Sequence, residues 1–219
     1  MAGLTVDPGP VLAEIAAAAE RVGRDPGDVQ LLAAVKYLEV DELGALAEAG
    51  VTLVGENRAQ ELERKAAAWD GRAGFRWHFI GQLQSRKVKV ILPRVELVHS
   101  VASDSVLSQL ERHGTPDTRV LVQVNVAREE DKAGIDPGEL GAFIARCPVH
   151  VAGLMTMPPF AEDPEASRPH FRRLAELAGE HGLRELSMGT SQDFAVAVEE
   201  GATIVRVGSR LYHRGEQGH

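Results

Sequence analysis

The sequence predicts an α/β fold, a single (β/α)8 TIM-type barrel with an extra helix before its first strand. Apolar runs alternate with segments of helical periodicity in roughly eight units, the number that closes such a barrel. A length of 219 residues suits one domain, so we expect a single barrel domain over residues 1–219. A doubly wound open sheet is the competing architecture, but it needs a topological switch point and usually has fewer strands.

The elements follow one another without low-complexity tracts or obvious linkers. An Ala-rich helix from about Val11 to Val22 comes first, and the Gly- and Pro-containing stretch 23–27 ends it. The apolar runs expected as strands are Leu31–Lys36, Val51–Asn57, Phe75–Gly81, Val95–Val101, Arg119–Val126, Val149–Met157, Glu185–Gly189 and Thr203–Ser209. The segments with helical periodicity between them are Val40–Ala49, Ala59–Trp69, Ser103–His113, Arg168–His181 and Asp193–Glu200.

Composition narrows the class of function. A net charge of −8 argues against a protein that binds a phosphate backbone, because such binding rests on clustered Lys and Arg. No run of about 18 apolar residues is present to span a membrane, and the first ten residues lack the features of a signal peptide. The single cysteine, Cys147, cannot form an internal disulfide, and no His, Cys or carboxylate spacing indicates a metal site. We therefore expect a cytoplasmic protein that binds neither nucleic acid, membrane nor metal, and we favour a monomer over an oligomer.

Lys36 ends the first predicted strand, and a motif near the far end of the chain complements it. That motif is the segment 186–194, Leu-Ser-Met-Gly-Thr-Ser-Gln-Asp-Phe, followed by 201–209, which ends in Arg-Val-Gly-Ser. The lysine supplies an amine, while glycines and hydroxyl-bearing residues suit an anion site built of N–H groups and hydroxyls. Together they predict a carbonyl cofactor that carries phosphate, for which pyridoxal 5′-phosphate is the obvious candidate.

The barrel would bring these two motifs together. In a closed barrel the first and eighth strands are neighbours, and active groups lie at the carboxyl ends of the strands. Alternation places Lys36 on the face of Ala34, and Arg206 on the face of Ile204 and Gly208. If both faces point inward, two cations share the barrel mouth, an arrangement that calls for an anionic ligand.

Several segments carry a resemblance to a known family. They are Lys36 after its apolar run, Val54–Glu61, Trp77–Gln84, Val122–Val126, Gly153–Met157, Ser187–Phe194 and Arg206–Ser209. In sequence and order they resemble the YggS/PROSC family of pyridoxal-phosphate-binding homeostasis proteins, similar to the barrel domain of alanine racemase, from about residue 11 to Tyr212. The resemblance implies an imine on Lys36 and a role in carrying or regulating the cofactor in vitamin B6 homeostasis. The chain departs from the family pattern at Val35, usually Ser or Thr, and at Glu39, often Pro.

The resemblance and the chemistry together imply roles for individual residues. Arg206 resembles the arginine that the related racemase barrel places at the pyridine nitrogen. Because a guanidinium cannot accept a proton, it would leave that nitrogen unprotonated and weaken the ring as an electron sink. Ser191, which opens the helix after the seventh strand, is expected to hold phosphate, and Asn57 to bond the ring's edge. The expected cofactor-binding residues are Lys36, Asn57, Ser187, Gly189, Ser191, Arg206, Gly208 and Ser209, and none is expected to be catalytic.

Simpler roles remain open for single residues. Ser191 and Asn57 are both candidates for helix caps, Arg206 for a partner of a structural carboxylate, and Lys36 for a solvated strand-end lysine. Only their joint arrangement favours a cofactor site.

Other polar residues are expected to have structural roles. His78 is expected to be a hydrogen-bonded core histidine, and His99 and His150 are also expected to be structural. The basic residues of segment 85–89, together with Arg94, are read either as a solvated helix face or as a surface for an anionic partner.

Two further functions stay open beside the carrier. An amino-acid racemase needs acid–base groups on both faces of the imine, and related racemases take one from a second domain that we do not expect in this chain. A Schiff-base enzyme acting on a phosphorylated substrate explains the phosphate site but not the family motifs. For a carrier, the expected partners are pyridoxal phosphate itself and, transiently, cofactor-dependent apo-enzymes.

Overall fold

The structure, a computed structural model, describes residues 4–70, 74–130 and 132–214. The ends of the predicted domain, residues 1–3 and 215–219, lie outside the described residues. The strands are β1 Leu4–Val6, β2 Gln30–Ala34, β3 Leu53–Glu56, β4 Arg76–Phe79, β5 Leu97–Val101, β6 Arg119–Gln123, β7 His150–Met155, β8 Glu185–Thr190, β9 Ile204–Val207 and β10 Tyr212–Arg214. Strands β2 to β9 form a closed parallel barrel in chain order, and β2 pairs with β9. The predicted barrel is therefore confirmed.

Helices alternate with the barrel strands. They are α1 Gly9–Arg21, α2 Leu43–Glu48, α3 Ala59–Ala68, α4 Val88–Ile91, α5 Asp104–His113, α6 Leu140–Ala145, α7 Arg168–Glu180 and α8 Phe194–Glu199. One of the helices α2 to α8 lies between each pair of consecutive barrel strands. A helix is the usual connection between parallel strands. The extra N-terminal helix is confirmed as α1, which packs against α8.

Four elements were not predicted. Strands β1 and β10 form a separate antiparallel pair in which Val6 lies opposite Tyr212. Helices α4 and α6 are four and six residues long. Elements this short give a weak periodic signal, so sequence patterns can miss them, although α2 and α8, also six residues long, were predicted. None of the described helices is long and apolar enough to cross a membrane.

Strand alternation divides the apolar residues into two layers. One layer fills the barrel interior and consists of Leu32, Leu53, Leu97, Leu121, Ala152, Met155 and Ile204. The other lies between strands and helices and includes Val35, Val54 and Phe79. Successive strand residues point to opposite layers. The residues two positions beyond Leu97 and Ile204 therefore also face the interior, and they are His99 and Arg206.

Candidate functional site

A cavity of about 430 Å³ lies at the carboxyl ends of the barrel strands. Six of the eight residues expected to bind a cofactor line it: Lys36, Asn57, Ser191, Arg206, Gly208 and Ser209. The remaining lining residues are Ala34, Tyr37, Ile80, Met157, Thr190, Gln192 and Tyr212. This is the end of a (β/α)8 barrel where active sites lie.

Lys36 lies two residues beyond the end of β2 and lines the mouth of the cavity. Its side chain is exposed, and its Nζ lies 4.6 Å from the centroid of the Tyr37 ring. Tyr37 is itself 72% exposed. Val35 points the other way, into the buried layer between strands and helices, as expected for a residue next to an inward-facing lysine.

Arg206, by contrast, is a buried cation at the bottom of the same cavity, 6% exposed. Its Nη1 donates to the Ser187 hydroxyl at 2.5 Å, and its Nη2 donates to the Thr156 carbonyl at 3.0 Å and to Met157 Sδ at 2.8 Å. Burial lowers the pKa of Arg206 to about 10, an effect that the Asp193 carboxylate opposes. Among the described residues no carboxylate bonds to the guanidinium, so its charge is held by neutral acceptors.

The Ser187 hydroxyl continues a hydrogen-bonded chain across the barrel interior. Because its oxygen accepts from Arg206, its own hydrogen is free to donate to His99 Nδ1, at 2.8 Å. His99 Nε2 in turn lies 3.0 Å from His78 Nδ1, so one of these two ring nitrogens donates to the other. Ser187 and His99 are fully buried and His78 nearly so. The chain of hydrogen bonds thus connects Arg206 to both histidines, and the prediction of a hydrogen-bonded core histidine at position 78 is confirmed.

Acid is expected to destabilise the fold through these two histidines. Burial, with smaller effects from nearby cations, lowers the pKa of His78 from 6.5 to about 3 and that of His99 well below its usual range. The unfolded chain therefore binds protons that the folded protein rejects, so stability falls as pH drops from about 6.5 toward 3. The slope is at most about 1.4 kcal/mol per pH unit for each histidine. Urea unfolding at a series of pH values measures it.

The matched variant for this prediction is His78→Gln, whose side-chain amide can still form a hydrogen bond with His99. It should show a shallower dependence of unfolding free energy on pH between 6.5 and 4. An unchanged slope would assign the acid sensitivity to other groups.

Two turns meet at one wall of the cavity. Ser191 Oγ accepts from the Gly208 N–H at 3.2 Å and so joins the turn after β8 to the turn after β9. Asp193 fixes the first turn, because its Oδ1 accepts from the Thr190 N–H at 2.7 Å and its Oδ2 from the Ser167 hydroxyl at 2.8 Å. Ser191 does not open a helix as expected, because Asp193 is the N-cap of α8 and the hydroxyl of Ser191 bonds elsewhere.

Ser187 and Gly189, both expected at the cofactor, lie outside the cavity lining. Ser187 contacts Arg206 and His99 from within the barrel. Gly189 has a φ of +87°, and a Cβ there would lie 2.6 Å from the Cβ of Ala197 on α8. Backbone conformation and packing against α8 therefore both require glycine at this position.

Asn57 lines the cavity and carries an unsatisfied acceptor. Its Oδ1 is buried and has no hydrogen-bond partner among the described residues. An unpaired buried acceptor costs about 1–3 kcal/mol, so a ligand that donates a hydrogen bond here would recover that energy. The residue is not a side-chain cap, because the N-cap of α3 is Arg58 and it receives no side-chain cap bond.

The sequence missed several lining residues for identifiable reasons. Thr190 and Gln192 lie within the segment 186–194, and Met157 ends the segment Gly153–Met157. All three could have been predicted as neighbours of residues in these motifs. Tyr212 had no signal, because it follows the last predicted strand and reaches the site through pairing of β10 with β1. Its hydroxyl donates to the Ala34 carbonyl at 3.1 Å, and burial raises the pKa of that hydroxyl.

The basic segment lies apart from this cavity. Residues 85–87 form a 3-10 turn that leads into α4, and no residue of the segment 85–89 lines the cavity. Arg94 pairs with Glu63 at 2.7 Å. Within residues 4–70, 74–130 and 132–214, no group of three or more His, Cys, Asp or Glu side chains is arranged to hold a metal ion.

Comparison with known proteins assigns the family. The model of the alanine racemase N-terminal domain matches residues 8–214. The pyridoxal phosphate homeostasis protein of Aquifex aeolicus is 40% identical over 215 residues, which cover 92% of this chain and 94% of that protein. The chain belongs to the family of pyridoxal phosphate homeostasis proteins.

Solved structures agree with this assignment. PipY of Synechococcus elongatus, a protein solved with PLP bound, superposes with a TM-score of 0.75 at 31% identity, covering 92% of this chain and all of PipY. The alanine racemase of Corynebacterium glutamicum superposes with a TM-score of 0.66 at 16% identity, covering 94% of this chain and 61% of the enzyme. This homeostasis-family chain therefore shares its barrel fold with the racemase.

Proposed function

We propose that this chain binds pyridoxal 5′-phosphate covalently through Lys36 and carries or regulates the cofactor without a substantial turnover reaction. The observation that carries the proposal is the convergence of an amine, a buried cation and two hydrogen-bonding turns in one cavity. The names of its relatives and the PLP bound to PipY support the choice of ligand.

The residues present fit this cofactor in three ways. Three of the five N–H donors of Arg206 are engaged by Ser187, Thr156 and Met157, which leaves two for a ligand. No carboxylate of the described residues bonds to Arg206 and neutralises its charge, so an anionic ligand is favoured. The unsatisfied Asn57 oxygen suits a donor such as a ring hydroxyl.

When bound, pyridoxal phosphate supplies an aldehyde that forms a carbon–nitrogen double bond with an amine and releases water. Lys36 is the amine at the cavity mouth, where its exposed side chain can also be reached by amines from solution. Ser191, Gly208 and Ser209 would hold the phosphate through hydroxyl and N–H groups. Arg206 would hold the ring nitrogen.

The same residues argue against catalysis. Arg206 can only donate hydrogen bonds, and the neutral chain through Ser187 and His99 offers it no proton to pass on. A ring nitrogen held by such a group stays unprotonated and stabilises a carbanion poorly. We therefore propose cofactor handling, with transient contact to apo-enzymes at the open mouth beside Tyr37 and Met157, which are 72% and 47% exposed.

One sample tests both halves of the proposal. Addition of pyridoxal phosphate to the apo-protein should produce a visible absorption band that borohydride removes by fixing the cofactor to the chain. Incubation of the loaded protein with L-alanine in deuterated water should then give neither inversion nor sustained Cα–H exchange, because a positioned acid or base contributes about 10²–10⁴-fold to such proton transfers.

The two outcomes are separable. A colourless protein would reject cofactor binding itself. A coloured protein that sustains Cα–H exchange, with the exchange lost in Lys36→Ala, would instead favour the function of an amino-acid racemase.

A further inference from the structure

A buried ion pair lies directly beside the cavity without lining it. Lys65 of α3 donates from Nζ to Glu56 Oε2 at 2.6 Å, and the two side chains are 1% and 0% exposed. Neither charge reaches solvent, and neither belongs to the residues that line the cavity.

Each partner of the pair also holds the backbone of one wall of the cavity. Lys65 Nζ donates to the carbonyl oxygen of Val35 at 2.7 Å, the residue before Lys36. Glu56 Oε1 accepts from the N–H of Asn57 at 2.6 Å and from the N–H of Arg58 at 3.1 Å. One ion pair thus connects the chain segment that carries the lysine to the segment that carries the unsatisfied amide.

The ion pair lies just beyond the last hydrogen bond between β2 and β3. The pairing of β2 with β3 finishes at Ala34 opposite Gly55, and the last backbone bond between them runs from the Val35 N–H to the Gly55 carbonyl at 2.9 Å. Beyond that point the Val35 carbonyl is turned to Lys65 instead of to the neighbouring strand. The ion pair therefore replaces the backbone hydrogen bonds between β2 and β3 as the link between the two chain segments next to the cavity.

Stability alone does not account for such a pair. Removing two charges from water is costly, and well-packed apolar side chains of similar volume stabilise a core as well or better. The rest of the buried face of α3 is apolar, with Leu62 fully buried one turn before Lys65. A pair retained at this one place is better explained by the backbone groups that it fixes.

We propose that the Lys65–Glu56 pair is a positioning device that sets Lys36 and Asn57 at a fixed separation before the cofactor binds. The inference rests on the proposed function, since it concerns the same cavity. Lys65 itself does not react with the cofactor, because its amine is enclosed by Glu56 and the Val35 carbonyl.

The test compares Lys65→Met with Leu62→Ala, a buried change on the same helix that touches neither wall of the cavity. Both variants should lower the melting temperature. Lys65→Met should also weaken pyridoxal phosphate binding by about tenfold or more and reduce the fraction of cofactor that borohydride fixes to Lys36. Leu62→Ala should bind within about twofold of the unaltered protein, because the backbone bonds at Val35 and Asn57 stay intact.

A second readout needs no cofactor. Hydrogen exchange of the Asn57 and Arg58 amides in the apo-protein should be faster in Lys65→Met than in Leu62→Ala, since Glu56 loses the partner that orients it. Should Lys65→Met not fold, the double variant Lys65→Met with Glu56→Gln removes both charges and retains an acceptor for the two amides. It should still bind cofactor more weakly, because Val35 loses its donor.

Two results would overturn the inference. One is binding by Lys65→Met or the double variant equal to that of the unaltered protein, and the other is an equal loss in Leu62→Ala. If the unaltered protein gave no reducible band, the proposed function would fail instead, and amide exchange would still report on the positioning role.

Discussion

Lys36→Ala is expected to abolish the visible absorption band of the protein with pyridoxal phosphate and to leave the melting temperature nearly unchanged. Lys36 is the lysine that lines the cavity, so no described amine there replaces it. Its side chain is exposed and contacts the equally exposed Tyr37 ring, so its removal takes little from the core. Spectra after addition of the cofactor, with thermal unfolding of the apo-proteins, measure both effects.

Lys89→Ala is the matched control for this prediction, because it removes a lysine from α4, whose residues do not line the cavity. That variant should keep the full band. Peptide mapping after borohydride reduction should place the cofactor on Lys36 alone. Recovery of the reduced cofactor on Lys65 or Lys87 would contradict the assignment.

The fold was predictable because most barrel strands are rich in apolar residues and each is separated from the next by a polar or helical segment. Six of the eight predicted strands extend too far at their carboxyl ends, so that Lys36, Asn57 and Gly81, for example, lie beyond the observed strands. There the chain leaves the sheet to form the cavity while its sequence stays partly apolar. The boundary is set by tertiary hydrogen bonds, such as the one from Lys65 to Val35, which no local pattern reports.

The site was predictable only in part, for the same reason. Lys36, Arg206 and the Ser191 turn converge because a closed barrel makes β2 and β9 neighbours, which follows from counting strands. The hydrogen bond between His99 and Ser187 joins residues 88 positions apart, and nothing near either residue indicates the other. Ser187 was therefore expected at the cofactor, whereas the structure places it beneath Arg206.

Ser191→Ala is expected to weaken pyridoxal phosphate binding by about ten- to a hundredfold, because one hydrogen bond to a charged group is worth roughly 1.5–3 kcal/mol. The hydroxyl lies between the turns after β8 and β9, where it accepts from the Gly208 N–H. Pyridoxal, which lacks the phosphate, should lose much less affinity in the same variant. Titration of both ligands, followed by their absorption bands, gives the two ratios.

The contrast between the two ligands separates phosphate binding from support of the turns. Because Ser191 also bonds Gly208, removing its hydroxyl disturbs the two turns and should lower the affinity for both ligands equally. Loss of a phosphate contact should lower only the affinity for pyridoxal phosphate. Ser108→Ala, which removes an exposed hydroxyl that bonds within α5, controls for the substitution itself and should change neither affinity. An equal loss for pyridoxal and pyridoxal phosphate in Ser191→Ala would mean that the hydroxyl only ties the two turns together, and the phosphate would then have to be held by the backbone at Gly208 and Ser209.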